Sequence, residues 1–343
     1  MAQQSTGLDP IEIVLNEKVE TDETWLDQVD LVHNAIPEIN YQHIRTSTNF
    51  LGKHLDLPLM ISAVTGGIRN SQAIHQDLAE VAEKKGIAYG LGSQRTMIES
   101  VEDKHNFDVR HKAPKTMVLG NLGLLQIKKH TIEDIKKAIE PLKLDGLCIH
   151  LNPAHEIIRN KGNTDFSDSL RTLDGFIKRI GIPVIVKEVG NGINKDVAYK
   201  LRKIGAKGID VGGKGGTSWT IINRLMKNDK KASIFDSWGI PTAASILEVK
   251  KEKLPVIATG GIRTGLDVAK AIALGADICG IALPILKIYK RRGKTGVEEY
   301  LDRIEEELKQ VMFLTGSRSI NDLRNTDYIL YGKLREWQIQ RGL

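Results

Sequence analysis

The sequence predicts an α/β chain folded as a closed barrel of eight parallel strands, the (β/α)8 or TIM-barrel architecture. Three observations carry that expectation. Eight runs rich in Val and Ile recur between residues 57 and 284, and each ends in glycine or a polar cluster. Helix-period stretches separate them, and strands alternating with helices build βαβ units and hence a parallel sheet. The runs are nearly continuous in apolar character, as strands covered on both faces must be. Eight such units suit a closed barrel better than an open sheet.

Taken in order, residues 1–56 precede the barrel, with a short strand expected at "IEIVL" and an irregular stretch at "LVHNAIPEINY". The first four strands are "LPLMISAVTGG" (57–67), "IAYGLGSQR" (87–95), "TMVLGNLG" (116–123) and "GLCIHLNP" (146–153). The second four are "IPVIVKEVGNG" (182–192), "KGIDVGGKGG" (207–216), "LPVIATGGIR" (254–263) and "DICGIALP" (277–284). Between them "SQAIHQDLAEVAEKKG", "TIEDIKKAIEPLK", "SLRTLDGFIKRIG" and "KDVAYKLRKIGAKG" have helical periodicity. Two further helices are expected over 294–316 and 319–341. Neither flank is long enough to fold alone, and each carries apolar residues to pack on the barrel. The expectation is therefore one domain: a 1–56 extension, a 57–287 barrel and C-terminal helices over 288–343.

Composition narrows the function. Of 343 residues 41% are apolar, enough for a large core, and the formal net charge is +6. Basic residues are interleaved with acids, as in "VKKEKLP" and "YLDRIEEELKQ", which reads as a solvated surface or as attraction for an anionic ligand such as phosphate. Aromatics are only 5% and no helix-turn-helix signal is present, which argues against nucleic acid. No apolar run of about 18 residues suggests a membrane span. The start "MAQQSTGLDPIEIV" lacks a basic, then apolar, leader, so a cytoplasmic location is expected. Cys148 and Cys279 sit alone in apolar runs, the pattern of buried reduced thiols rather than a disulfide framework or a zinc site.

In such barrels the site lies at the C-terminal ends of the strands. Here those ends read Thr65-Gly66-Gly67, Ser93-Gln94-Arg95, Asn121, His150 with Asn152, Lys187-Glu188, Gly212 through Thr217, Gly260-Gly261-Ile262-Arg263 and Ala282-Leu283. A ligand-binding mouth follows, since a purely structural barrel has no need of polar groups at nearly every strand end. "ATGGIRTGLDVAKAIALGAD" is its most informative part: Gly260-Gly261 lets backbone approach an oxyanion, Arg263 adds a charged fork, and a helix begins there. The run resembles the FMN-binding barrels. That likeness implies that Lys187 places a cation beside the flavin's N1–C2 carbonyl edge, where it stabilises the charge of reduced flavin.

Nine blocks in order resemble one family within that group, the type 2 isopentenyl diphosphate isomerases, which depend on FMN and Mg²⁺. They are "DLVHNAIPEIN", "PLMISAVTGG", "GLGSQR", "IHLNPAHE", "VKEVGNG", "GGTSW", "WGIPTAAS", "GGIRTGLDVAKAIALGAD" and "ALPILK", and "LREWQIQRG" extends the likeness to the C-terminus. The resemblance implies interconversion of isopentenyl and dimethylallyl diphosphate by proton movement at reduced FMN, with NADPH as reductant and a homo-oligomer (tetramer or octamer) as the assembly. It implies flavin contacts from Ser62, Ala63, Val64, Thr65, Ser93, Asn121, Lys187, Gly212, Thr217, Gly261, Ile262, Arg263, Ala282 and Leu283. Ser93, Gln94 and Arg95 would meet the diphosphate, His150, Asn152 and His155 would serve the reacting centre, and Glu156 would bind Mg²⁺, a hard cation that prefers oxygen.

The chain departs from the family's pattern mainly in its substrate half. His155 stands where the family has Gln beside the substrate's double bond; an imidazole can donate or accept like an amide but also titrates. The family's Arg-Lys pair and His, which bind diphosphate, fall on Thr6, Gly7 and Pro10. A Glu before "WGIPTAAS" becomes Asp229-Lys230-Lys231, and the Ser after Asp-Val in the sixth-strand block is Gly212. Each lost charge-assisted bond to phosphate is worth about 1.5–3 kcal/mol, so Lys214, Arg69, Arg159 or Lys161 would have to substitute. The other expectation these departures raise is a divergent FMN enzyme acting on a different phosphorylated or prenyl substrate.

Overall fold

The structure, a computed structural model, describes residues 10–64, 71–99, 105–159, 162–229 and 231–343. Eight parallel strands close into a barrel: β1 (Leu59–Ile61), β2 (Ala88–Gly90), β3 (Val118–Gly123), β4 (Gly146–His150), β5 (Val184–Lys187), β6 (Gly208–Asp210), β7 (Val256–Thr259) and β8 (Ile278–Ile281). Neighbours in sequence are neighbours in the sheet, and β8 pairs with β1 to complete the ring. All eight lie within the runs read from the sequence.

Alternation along each strand builds two cores. Met60, Ala88, Leu119, Cys148, Ile185, Ile257 and Ile278 point inward and fill the barrel, while Ile61, Tyr89, Leu147, Ile149, Val186 and Ile209 point outward to the helices. Burying each large apolar side chain contributes about 1.5–3 kcal/mol. Phe50 and Leu55, from the hairpin Thr48–Phe50 and Lys53–Leu55, join the inner core from the end opposite the polar strand ends. Cys148 and Cys279 are buried free thiols. Among the described residues no helix is long and apolar enough to cross a membrane.

Two expectations outside the barrel are corrected. "IEIVL" is not a strand but part of the helix Pro10–Asn16. Pro10 suits the first turn, and the consecutive Ile13 and Val14 both bury against Ile221, Ile222, Leu283 and Leu286, which a helix face permits and a strand's alternation does not. The expected helix over 319–341 is interrupted: helix Ile320–Arg324, strand Tyr328–Leu330 and helix Gly332–Arg341 follow one another. That strand pairs antiparallel with Val29–Leu31, a partner almost the whole chain away. The preceding helix, Leu283–Leu314, is broken at Gly293, so its second part starts where the sequence placed it.

Candidate active site

The stretch "DGLCIHLNPAHE" shows how local structure delivers the site. On β4, Cys148 points into the barrel, so two residues on His150 points inward as well, at the rim. Pro153 then starts the helix Pro153–Ile158, with Asn152 at its cap position and His155 and Glu156 in its first turns. His150 Nδ1 lies 2.9 Å from Asn121 Oδ1 on β3. With Asn121 accepting, Nδ1 carries the proton and Nε2 keeps a lone pair. Burial and the nearby Lys187 push the His150 pKa down to about 3, so the ring is neutral. A Cβ on Gly123 would lie 2.7 Å from Nε2, so glycine there leaves the imidazole its room.

Glu156 is buried, and its carboxylate accepts from Asn152 Nδ2 and from the Asn163 backbone N–H, each at 2.9 Å. Arg159 Nη1 stands 3.6 Å away. His155 stacks on Trp219, ring centroids 5.3 Å apart and planes 25° from parallel. Its burial lowers the pKa more than Glu156 raises it, which favours the neutral ring and makes it the closer stand-in for an amide. Among the described residues no cluster of three or more His, Cys, Asp or Glu is arranged to hold a metal. An ion at Glu156 would therefore draw most of its oxygens from a bound phosphate and water.

Beside β4 the register sets Lys187 of β5 level with His150 of β4 and Asp210 of β6. Lys187 Nζ donates to the Glu188 carbonyl at 2.7 Å and lies 3.4 Å from Asp210 Oδ2. Glu188 is buried too; its side chain accepts the N–H groups of Val189, Gly190 and Asn191, yet desolvation still pushes its pKa up to about 7. Beyond β6 and β7 two glycine-rich turns meet backbone to backbone. Gly260 and Gly261 have φ of 109° and 80°, and a Cβ on Gly260 would fall 2.1 Å from the Gly213 carbonyl oxygen. Only glycine fits.

Several expected residues take different places. Thr65, Arg69 and Lys161, with Thr6, Gly7 and Lys230, lie outside the described residues. Gln94 is fully buried: its Oε1 accepts the Asn121 N–H at 2.9 Å and braces β3, while its Nε2 has no hydrogen-bond partner in the chain; Ser93 and Arg95 are half-buried. The Ile262 side chain is in the outer core, leaving only its backbone for a ligand. Leu283 packs with Val64 and Ile13 just past β1 and β8, the strands that Ala63 and Ala282 follow. At Gly212, φ is 46° and a Cβ would fall 2.1 Å from the Glu188 carbonyl oxygen, so this chain has no room for the family's Ser.

Sequence reasoning missed a strap, Val19–Thr24. Ser218 N–H bonds to Val19 O at 2.7 Å, Thr21 N–H to Gly216 O at 3.2 Å, and Glu20 bridges Thr217. Its carboxylates meet both cations of the glycine turns: Glu20 pairs with Arg263, and Glu23 with Lys214 Nζ at 2.6 Å. The acids of "VETDET" were the available signal; their partners are some 190 to 240 positions away. Since Lys214 is committed to Glu23, Arg159 is the remaining described candidate to replace the family's lost cations.

The fold and site are those of an FMN-type (β/α)8 barrel. The family model "FMN-dependent dehydrogenase" matches residues 150–329. A mandelate oxidase superposes with TM-score 0.65 over 95% of this chain and 93% of its own, and a Pediococcus acidilactici lactate oxidase (described as putative) with 0.66 over 96% and 89%. Both are 18% identical, a likeness of fold alone. Closer in sequence is the isopentenyl-diphosphate delta-isomerase of Halobacterium salinarum, 41% identical over 97% of this chain and 95% of that protein. The protein of the same name from Methanothermobacter thermautotrophicus is 42% identical over 93% and 90%. The chain belongs to the type 2, FMN-dependent isopentenyl-diphosphate isomerase family.

The residues present fit FMN. Ser62 Oγ is buried just past β1 without a hydrogen-bond partner in the chain, a polar group that a bound flavin would satisfy. A phosphate at the glycine turns would have to compete with Glu20 for Arg263.

Proposed function

We propose that this chain interconverts isopentenyl and dimethylallyl diphosphate, using reduced FMN and Mg²⁺. The observation that carries the reading is the convergence of His150, Asn152, Glu156 and Lys187 on the rim of β4 and β5, next to the glycine turns that follow β6 and β7. Bound and reduced, FMN supplies the proton donor and acceptor for moving the double bond. The chain supplies position, charge and dryness. Ser93, Arg95 and Arg159 face the diphosphate, and Glu156 holds Mg²⁺ against it. His150 offers a neutral acceptor, oriented by Asn121, and His155 on Trp219 walls the prenyl group. Gly261, Arg263, Thr217 and the neighbouring backbone hold the flavin phosphate. The family resemblance also supports NADPH as reductant, a homo-oligomer and a cytoplasmic setting.

The test is spectral. Purified protein binds FMN at a 1:1 ratio, and the reduced complex changes its absorbance when isopentenyl diphosphate and Mg²⁺ are added. A reduced complex that responds to neither diphosphate isomer but does respond to another phosphorylated or prenyl compound would transfer the reading to the divergent-substrate alternative.

A further inference from the structure

Asp210 is a carboxylate at the floor of the mouth with no solvent exposure. An isolated buried charge costs several kcal/mol, so its surroundings have to explain it. Oδ1 takes the Thr259 hydroxyl from β7 and the Gly212 N–H at 3.2 Å. Oδ2 has no hydrogen bond and is left with Lys187 Nζ at 3.4 Å. Burial, with the Asp210 charge adding to it, pushes the adjacent Cys148 thiol up to about 12, so no second ionised group intrudes from β4. A lysine ammonium has three N–H donors. One goes to the Glu188 carbonyl, one leans toward Asp210, and the third is free for a ligand above the strand ends.

We propose that Asp210 is the positioning residue of the flavin site: its carboxylate, fixed by Thr259, anchors Lys187 and sets how strongly the site favours reduced over oxidised FMN. This rests on the reading that Lys187 faces the flavin. The pair is neutral beside oxidised flavin. Reduction adds a negative charge, which Lys187 attracts and Asp210 repels, so the carboxylate restrains a preference the lysine creates.

The test is the midpoint potential of bound FMN, with the ratio of the oxidised to the reduced dissociation constant. Asp210→Asn, nearly isosteric, should raise that ratio about tenfold, about 30 mV for a two-electron couple. Lys187→Met should lower it. In the Lys187→Met background the Asp210→Asn effect should shrink, because a carboxylate that acts by anchoring the ammonium then has nothing left to anchor. Should Asp210→Asn fail to fold, Thr259→Val directs more of the carboxylate's charge at Lys187 and should lower the ratio. An unchanged or lower ratio in Asp210→Asn, or an unchanged one in Thr259→Val, while Lys187→Met still shifts it, overturns the role of Asp210 alone. If Lys187→Met binds FMN with an unchanged potential, Lys187 does not face the flavin and the reading beneath the inference fails with it.

Discussion

His155 shows what one side chain can and cannot replace. It lies flat on Trp219, held by burial as a neutral ring, so it keeps the donor-and-acceptor character of an amide. His155→Gln should therefore hold kcat/KM for isopentenyl diphosphate within about tenfold, a barrier change of at most about 1.4 kcal/mol, whereas His155→Ala should lose more. Equal losses in both variants would show that the ring's stacking, not its polarity, is what the site uses. At this scale the sequence is readable where backbone geometry dictates the residue. Gly260 and Gly261 stand where a Cβ would strike backbone, and His150 falls on the inner face by counting from Cys148. It is unreadable where a rotamer decides: nothing in "GLGSQR" shows that Gln94 folds back on Asn121 while Arg95 stays toward solvent.

The strap Val19–Thr24 acts as an element. Glu20 and Glu23 neutralise Arg263 and Lys214 while the strap's backbone bonds to the turn after β6. Partly buried pairs of this kind contribute about 1 kcal/mol or somewhat more. Glu20→Gln should free Arg263 and tighten FMN about three- to tenfold, read as flavin fluorescence quenching on titration into apoprotein. Weaker binding would mean that Glu20 orients Arg263 rather than competing with the phosphate. The eight barrel strands were legible because each is a local apolar run with a polar end. The strap, the helix at Pro10 and the strand Tyr328–Leu330 were not, since distant partners give each its form.

The buried ionisable groups give the whole molecule a pH signature. Burial pushes His75 down to about 4 and His150 to about 3, against 6.5 for an unperturbed histidine. Below about pH 6.5 the unfolded chain thus binds protons that the folded one refuses, and stability falls with pH. Glu188 acts oppositely: its folded pKa of about 7, against 4.5, makes the folded state take up a proton and gain stability as pH falls from 7 to 4.5. His155, also lowered by burial, acts in the same sense, so the histidines outweigh the one carboxyl. Between pH 6 and 5 the net loss should be about 1.4 kcal/mol per pH unit or more, a drop in Tm of about 2 °C for a chain of 343 residues. A Tm that holds or rises over that interval would place the histidines differently. Glu188→Gln should steepen the loss.

Turnover decides whether the rim of β4 and β5 carries out isomerisation. The FMN-loaded protein, reduced anaerobically with Mg²⁺ present, is given isopentenyl diphosphate, and the products are followed by NMR in D2O. Dimethylallyl diphosphate should form with solvent deuterium incorporated, either isomer should reach the same final mixture, and reoxidation or chelation should stop turnover. Fully reduced, Mg²⁺-replete protein carrying one FMN per chain that leaves both isomers unchanged would contradict isomerisation at that rim.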